Sequence, residues 1–237
     1  GTYDDAFDLC LEATDAYGWY CRNTGYNPYT AEGKKTVSYE ICEQLSGRAG
    51  HFDAPDTILV SVGDGNIISG VHKGLKDLLA LGWIDHMPRL IGVQAEGSAA
   101  MYLAWKNDTD PATMHPIDAH TIADSISAGL PRDRVKAMHA VRETGGAYIT
   151  VTDDEIIAAI PLLARATGVF AEPAGSAVYA GLLKAAGAGM FSSNERIVAL
   201  ITGNGLKDVA SARKSVSQAP TVAPLLDDVA RVMREVF

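Results

Sequence analysis

Basic residues never cluster in this chain of 237 residues, and 20 lysines and arginines stand against 29 acids for a formal charge of −9. Such a balance offers no electrostatic footprint for nucleic acid or for an anionic membrane surface, so neither is expected as a partner. Long hydrophobic runs are also missing. Apolar stretches such as 57–62 and 196–201 are flanked by charge or glycine and fall far short of the ~20 residues a bilayer-spanning helix needs. The opening GTYDDAFDLC has neither the basic start nor the apolar stretch of a signal peptide. Only three cysteines occur, Cys10, Cys21 and Cys42, with no histidine at a zinc-ligand spacing from them. They read as reduced thiols of a cytoplasmic protein. The 6 histidines form no H-x-x-x-H pair. None lies near a convincing nucleophile, so none is nominated as catalytic. Glu96 could begin a cation site, but Ala99, Ala100 and Met101 bring no further oxygen side chains, and no metal is expected.

What the chain does have is a 47% hydrophobic content and a clear rhythm. Short apolar runs at Thr57–Val62, Arg89–Gln94, Gly146–Thr152 and Arg196–Ile201 read as buried strands. Helical patterns separate them at Ile67–Leu81, Ser98–Trp105, Asp153–Thr167 (capped by Thr152 or Asp153) and Gly175–Ala186. Apolar strands alternating with amphipathic helices predict an α/β fold: an open, mostly parallel sheet with helices on both faces. Two segments break the rhythm. Tyr17–Lys35 is rich in Gly, Asn, Tyr and Pro before a helix at Thr36–Ser46, and Lys106–Arg134 is a long polar connection. Long irregular stretches in compact domains are commonly functional. The first helical stretch, Tyr3–Gly18, reads as the end of an αβ unit whose strand would precede it.

The strongest local signal is Ser61-Val62-Gly63-Asp64-Gly65-Asn66-Ile67, where a buried strand ends in a glycine-rich turn that opens directly into a helix. Glycines let the backbone turn its N–H groups inward, and the helix N-terminus adds partial positive charge, which suits a phosphate. The run lacks the G-K-[ST] of a P-loop and the full G-x-G-x-x-G of a dinucleotide site, and it also reads as a plain tight βα turn. A second strand ending, Ile201-Thr202-Gly203-Asn204-Gly205-Leu206-Lys207-Asp208, puts a hydroxyl where open α/β sheets bind ligands. Thr202 there could hydrogen-bond a neutral heterocyclic nitrogen, or simply end the strand in a polar turn. Glu172, at the start of Glu172-Pro173-Ala174-Gly175-Ser176, reads as a helix cap.

Taken together and in order, Asn27-Pro28-Tyr29-Thr30-Ala31-Glu32-Gly33-Lys34-Lys35-Thr36, the 62–67 loop, Ile91-Gly92-Val93-Gln94-Ala95-Glu96-Gly97-Ser98, the 172–176 run and 202–208 resemble the threonine synthase branch of the pyridoxal-phosphate enzymes, which have the tryptophan synthase β-like fold. The resemblance covers essentially the whole chain. It implies pyridoxal 5'-phosphate as cofactor, with Gly63, Asp64, Gly65, Asn66 and Ile67 cradling its phosphate and Thr202 facing the pyridine nitrogen. It implies that residues 1–22 are the tail of a small mobile domain, that 23–237 form most of a large domain, and that the enzyme is a homodimer. The reaction implied is conversion of O-phosphohomoserine and water to threonine and phosphate. Two departures accompany it. The family's Schiff-base lysine, in a Ser-x-Lys-Asp-like motif, and its Ser-Gly-Asn stretch both fall upstream of the matched region and do not occur here. No catalytic residue is therefore nominated, and the chain reads as the carboxyl-terminal part of a larger enzyme, inactive alone. Moreover, the arginine that follows the Asn-Pro pair in the family is replaced here by Thr30. Asn23, Thr24 and Thr30 are then the substrate-binding candidates, with Arg22 beside them. Thr30 leaves open a threonine or serine dehydratase-like lyase or a β-replacement enzyme, and the absent lysine leaves open a non-catalytic module binding the cofactor or a phosphorylated metabolite.

Overall fold

The computed structural model describes residues 1–236. Its frame is a four-stranded parallel sheet built from β1 (Thr57–Ser61), β2 (Arg89–Ala95), β3 (Ala147–Val151) and β4 (Ile197–Leu200), in the order β3-β2-β1-β4. Val60 sits opposite Gly92 on one side and Leu200 on the other. Each crossover carries at least one helix, as parallel pairing demands. The helices are α1 (Tyr3–Tyr17), α2 (Pro28–Gly33), α3 (Thr36–Ser46), α4 (Asn66–Ala80), α5 (Ala100–Lys106), α6 (Arg134–Glu143), α7 (Asp153–Thr167), α8 (Pro173–Gly187), α9 (Val209–Lys214) and α10 (Leu226–Val236).

Successive strand side chains point to opposite faces, and the core divides accordingly. Ile58 and Val60 of β1 join Ile68, Val71 and Leu75 of α4 and Met138 and Val141 of α6 in one apolar cluster. Leu59 of β1 joins Ile91 and Val93 of β2, Ile156 of α7 and Ala177 and Val178 of α8 in the other. These side chains are fully or almost fully buried, and each contributes roughly 1.5–3 kcal/mol when it is as large as Leu or Ile. The expected α/β class and layered parallel sheet are those observed. All four strands and the helices expected at 36–46, 67–81, 98–105, 153–167 and 175–186 are present, with ends shifted by a few residues.

Local chemistry explains the boundaries. Thr152 caps α7 in a reciprocal box: its hydroxyl accepts from the Glu155 N–H at 3.1 Å, and the Glu155 carboxylate accepts from the Thr152 N–H at 2.7 Å. Asn27 caps the short α2 by accepting from the Tyr29 N–H at 3.0 Å, while its amide donates to Tyr20 and to the Cys21 carbonyl. That helix was not expected in the irregular 17–35 stretch. The 106–134 connection is irregular apart from α5's last residue, two 3₁₀ turns and the first residue of α6. Among the described residues no helix is long and apolar enough to cross a membrane.

Candidate cofactor site

At the carboxyl end of β1, Val62 still donates to the Val93 carbonyl at 2.8 Å, and the chain then turns through Gly63–Gly65 into α4. Both glycines answer a steric demand. A Cβ on Gly63 would lie 2.8 Å from Ile126 Cα, and Gly65 has φ +88° with a Cβ position 2.6 Å from Ala137 Cβ. Gly65 is the N-cap of α4 and carries no side chain to accept from the first-turn N–H groups. These donors, with the positive end of the helix dipole, belong to a cavity of about 570 Å³ lined by Ser61, Gly63, Asp64, Gly65, Asn66 and Ile67. The opposite wall comes from residues 124–128 and the start of α1, with Thr24 and Lys34 completing it.

Asp64 contributes to this loop through its backbone, because its side chain is engaged elsewhere. Its carboxylate accepts from the Thr24 hydroxyl at 2.9 Å, from the Tyr3 hydroxyl and from the Arg132 N–H at 3.1 Å. Burial, reinforced by that hydrogen bond to Asp64, pushes the Tyr3 phenol up to about 12. Arg132 extends the contact: its guanidinium donates to Asp4 at 2.8 Å and lies 4.2 Å from the Phe7 ring centroid. Helix α1 is thus docked on the glycine loop through Asp64 and Arg132. Asn66 is held differently. Its amide donates to buried Asp133 at 2.6 Å, while its own Oδ1 is buried and accepts nothing from the described residues. Asp133 and Lys34 carried no signal that singled them out in the sequence; only the packing of α6 and α2 against α4 brings them to the loop.

The other sequence candidates are distributed unevenly. Thr24 lines the cavity, but Asn23 and Thr30 do not. Asn23 accepts from the Cys10 thiol at 3.6 Å, and the Thr30 hydroxyl donates to the Arg22 carbonyl at 3.0 Å. Thr202 is exposed, just past β4 and beside the β1 exit, and is not among the residues lining that cavity. Its turn is braced from below by Glu172. The Glu172 N–H donates to the Gly203 carbonyl at 3.0 Å, and a Cβ on Gly203 would overlap the Glu172 carboxylate. The expectation that Glu172 caps α8 through its side chain is corrected here. Glu172 occupies the N-cap position, yet its carboxylate makes no cap hydrogen bond and instead accepts from Lys207 at 3.1 Å and from Ser125 at 3.2 Å. A cation from a distant part of the chain outcompetes the helix N–H groups because a charge-assisted bond is the stronger one. Ser125 and Asp124 line both the main cavity and a smaller one of about 150 Å³ beside Glu172 and Lys207.

A glycine turn from strand into helix at the carboxyl edge of a parallel sheet is an arrangement found in cofactor-binding α/β enzymes. Residues 1–203 match the family model described as pyridoxal-phosphate dependent enzyme, and the chain belongs to that family, whose cofactor is pyridoxal phosphate. It is 34% identical over 235 residues to a threonine synthase of Methanocaldococcus jannaschii, covering 99% of this chain and 56% of that protein. It is 37% identical over 235 residues to a threonine synthase of Mycobacterium leprae, covering 99% of this chain and 60% of the relative. The chain therefore spans rather more than half the length of these curated relatives. In fold it is similar to the processed form of threonine deaminase isoform 2 from Solanum lycopersicum, with a TM-score of 0.69 at 23% identity over 87% of this chain and 54% of that one. It is likewise similar to maize serine racemase, with a TM-score of 0.64 at 20% identity over 99% of this chain and 61% of the other.

Proposed function

We propose that the whole protein is a threonine synthase, converting O-phosphohomoserine and water to threonine and phosphate with pyridoxal phosphate. The observation that carries this reading is the uncapped start of α4 behind Gly63–Gly65, in a chain similar to threonine synthases over nearly all its residues. The donor set fits the cofactor's phosphate: two glycines admit a close backbone approach, the helix N–H groups are without a side-chain cap, and no carboxylate oxygen is free on the loop. Bound there, pyridoxal phosphate supplies the electron sink that stabilises a carbanion next to the substrate amino group. In this reading Gly63, Asp64, Gly65, Asn66 and Ile67 hold the phosphate by backbone donors. Thr202 offers a neutral hydroxyl to the pyridine nitrogen, which leaves that nitrogen largely unprotonated, and Glu172 fixes the turn that carries it. Thr24 stands at the substrate mouth, with Asn23 and Thr30 behind it.

Residues 1–22 then form the tail of a small domain and 23–237 most of the large one. The Tyr3–Asp64 and Arg132–Asp4 contacts are the seam between them. A homodimer fits strand β4, which pairs with β1 on one side only among the described residues and carries half-buried Ile197–Leu200. Three free thiols fit the cytoplasm. A second reading, a threonine or serine dehydratase-like lyase, is favoured by Thr30, whose hydroxyl is turned to the Arg22 carbonyl where a phosphate-gripping arginine was expected. Turnover assays on the full-length protein separate the two. Phosphate release from O-phosphohomoserine with threonine as product supports the synthase, whereas ammonia and a keto acid from threonine or serine, with no turnover of O-phosphohomoserine, refutes it.

A further inference from the structure

We infer that Lys34 is the cation that receives a phosphate monoester in the cavity lined by the Gly63–Ile67 loop; the inference rests on reading that cavity as a phosphate site. Lys34 is the C-cap residue of α2, is half-buried and lines the cavity together with the loop. Its position is set by packing. A Cβ on Gly70 of α4 would lie 2.6 Å from the Lys34 Cβ, so the lysine stem is pressed against the helix whose first turn forms the cradle. Among the described residues the charge at its end is left without a carboxylate partner. Lys35, Lys73, Lys76, Lys136, Lys184 and Lys207 each have a carboxylate within 4.0 Å, and Lys106 and Lys214, which have none among the described residues, are exposed to water. Among the described residues no carboxylate lies that close to Lys34. Burial accordingly lowers its pKa, with the Asp133 carboxylate pulling the other way and Arg22 adding to the fall.

A half-buried ammonium with no counter-ion is unfavourable unless a ligand provides one. The ligand is specified by what else faces the cavity. The uncapped N–H groups of α4 favour an anion, and a full lysine charge beside a helix dipole matches a dianion better than a carboxylate. A volume of about 570 Å³ leaves room for a small organic body beyond the phosphate. Thr30 does not compete for this role, since its hydroxyl is turned to the Arg22 carbonyl. Two phosphate monoesters fit that description: the 5'-phosphate of the cofactor and the phosphate ester of an amino-acid substrate.

The test is calorimetric binding to the cofactor-free full-length protein, comparing wild type with Lys34→Met, Lys34→Gln and Lys34→Arg. Methionine keeps the stem packed on Gly70, and glutamine guards against a packing artefact. The probes are pyridoxal phosphate against pyridoxal and, on cofactor-loaded protein, the non-eliminable phosphonate analogue of O-phosphohomoserine against homoserine. Loss of one charge-assisted contact weakens the phosphorylated probe at least about tenfold in the Met and Gln variants, leaves its dephosphorylated twin unchanged, and is restored by Arg. A loss confined to the first pair assigns Lys34 to the cofactor's phosphate, and one confined to the second assigns it to the substrate's. Wild type that prefers both phosphorylated probes, with the variants equal to it, overturns the Lys34 inference alone. Wild type that binds pyridoxal phosphate no better than pyridoxal overturns the phosphate-site reading and the inference with it.

Discussion

Helix α6 shapes the 63–65 turn by crowding Gly65, and Gly65→Ala tests this. Two costs are separable. At φ +88° an L-residue sits in the left-handed region, which costs about 1–2 kcal/mol. The added methyl would also lie 2.6 Å from Ala137 Cβ, a distance at which α4 and α6 must part, and such overpacking typically costs about 1–3 kcal/mol. Together these predict a loss of roughly 2–5 kcal/mol. Gly168, the C-cap of α7, isolates the first cost: its φ is +75° and nothing lies within 4 Å of the Cβ position. Gly168→Ala should therefore lose only about 1–2 kcal/mol. Urea unfolding followed by far-ultraviolet circular dichroism measures both, as shifts in midpoint at constant slope. Equal losses in the two variants would show that α6 does not crowd the loop, and the steric account of the cradle would fall.

Glu172→Ala should cost about 1–2 kcal/mol in the same assay, short of the 3–5 of a fully buried pair, because the Lys207 side chain it abandons is 59% exposed and is taken up by water. Lys207→Met should cost more than that, because it strands the buried Glu172 carboxylate with only the Ser125 hydroxyl beside it; a cost clearly below that of Glu172→Ala would refute the view that Lys207 compensates the buried charge. Burial lowers the pKa of His72 below its ordinary 6.5, against the pull of Glu143 and with Lys76 and His139 adding to the fall. The unfolded chain therefore binds more protons there, so stability is fully present above about pH 6.5 and is lost as pH drops toward the folded value. His72→Gln should flatten the fall in unfolding free energy between pH 7 and 5, and an unchanged slope would remove His72 from the acid sensitivity.

The parallel sheet was legible because its central strands β1 and β2 are buried on both faces, all four strands read as short apolar runs, and glycine punctuates their ends. The 63–67 loop was legible for the same local reason. What escaped the sequence was everything decided by long-range partners. Asp64 looks like part of an anion cradle by position, yet its carboxylate is engaged by Tyr3, Thr24 and the Arg132 N–H, all far from it in the chain. Glu172 has the position of a cap, but a distant lysine takes its carboxylate. Helix α6 was missed because charged residues open and close it and its buried Ala137, Met138, Ala140 and Val141 give only a narrow stripe of mostly small side chains. Lys34 is one of two adjacent lysines, and no sequence rule says that Lys35 pairs with Glu32 and Asp77 while Lys34 has no carboxylate partner among the described residues.

The engagement of Asp64 also decides what charge the 63–67 loop presents to its cavity, and so whether the proposed phosphate could sit there. A free carboxylate on the turn would repel a dianion across a cavity screened less than bulk water. The fold prevents this by spending Asp64 on three donors from outside the loop, one of which belongs to a residue whose guanidinium also binds Asp4 of α1. The negative charge is thereby turned toward α1, and what faces the cavity from the loop is backbone N–H. One of those three donors, the Tyr3 hydroxyl, belongs to α1, so undocking α1 would remove it from the Asp64 carboxylate and leave Thr24 and the Arg132 N–H to hold the charge away from the cavity.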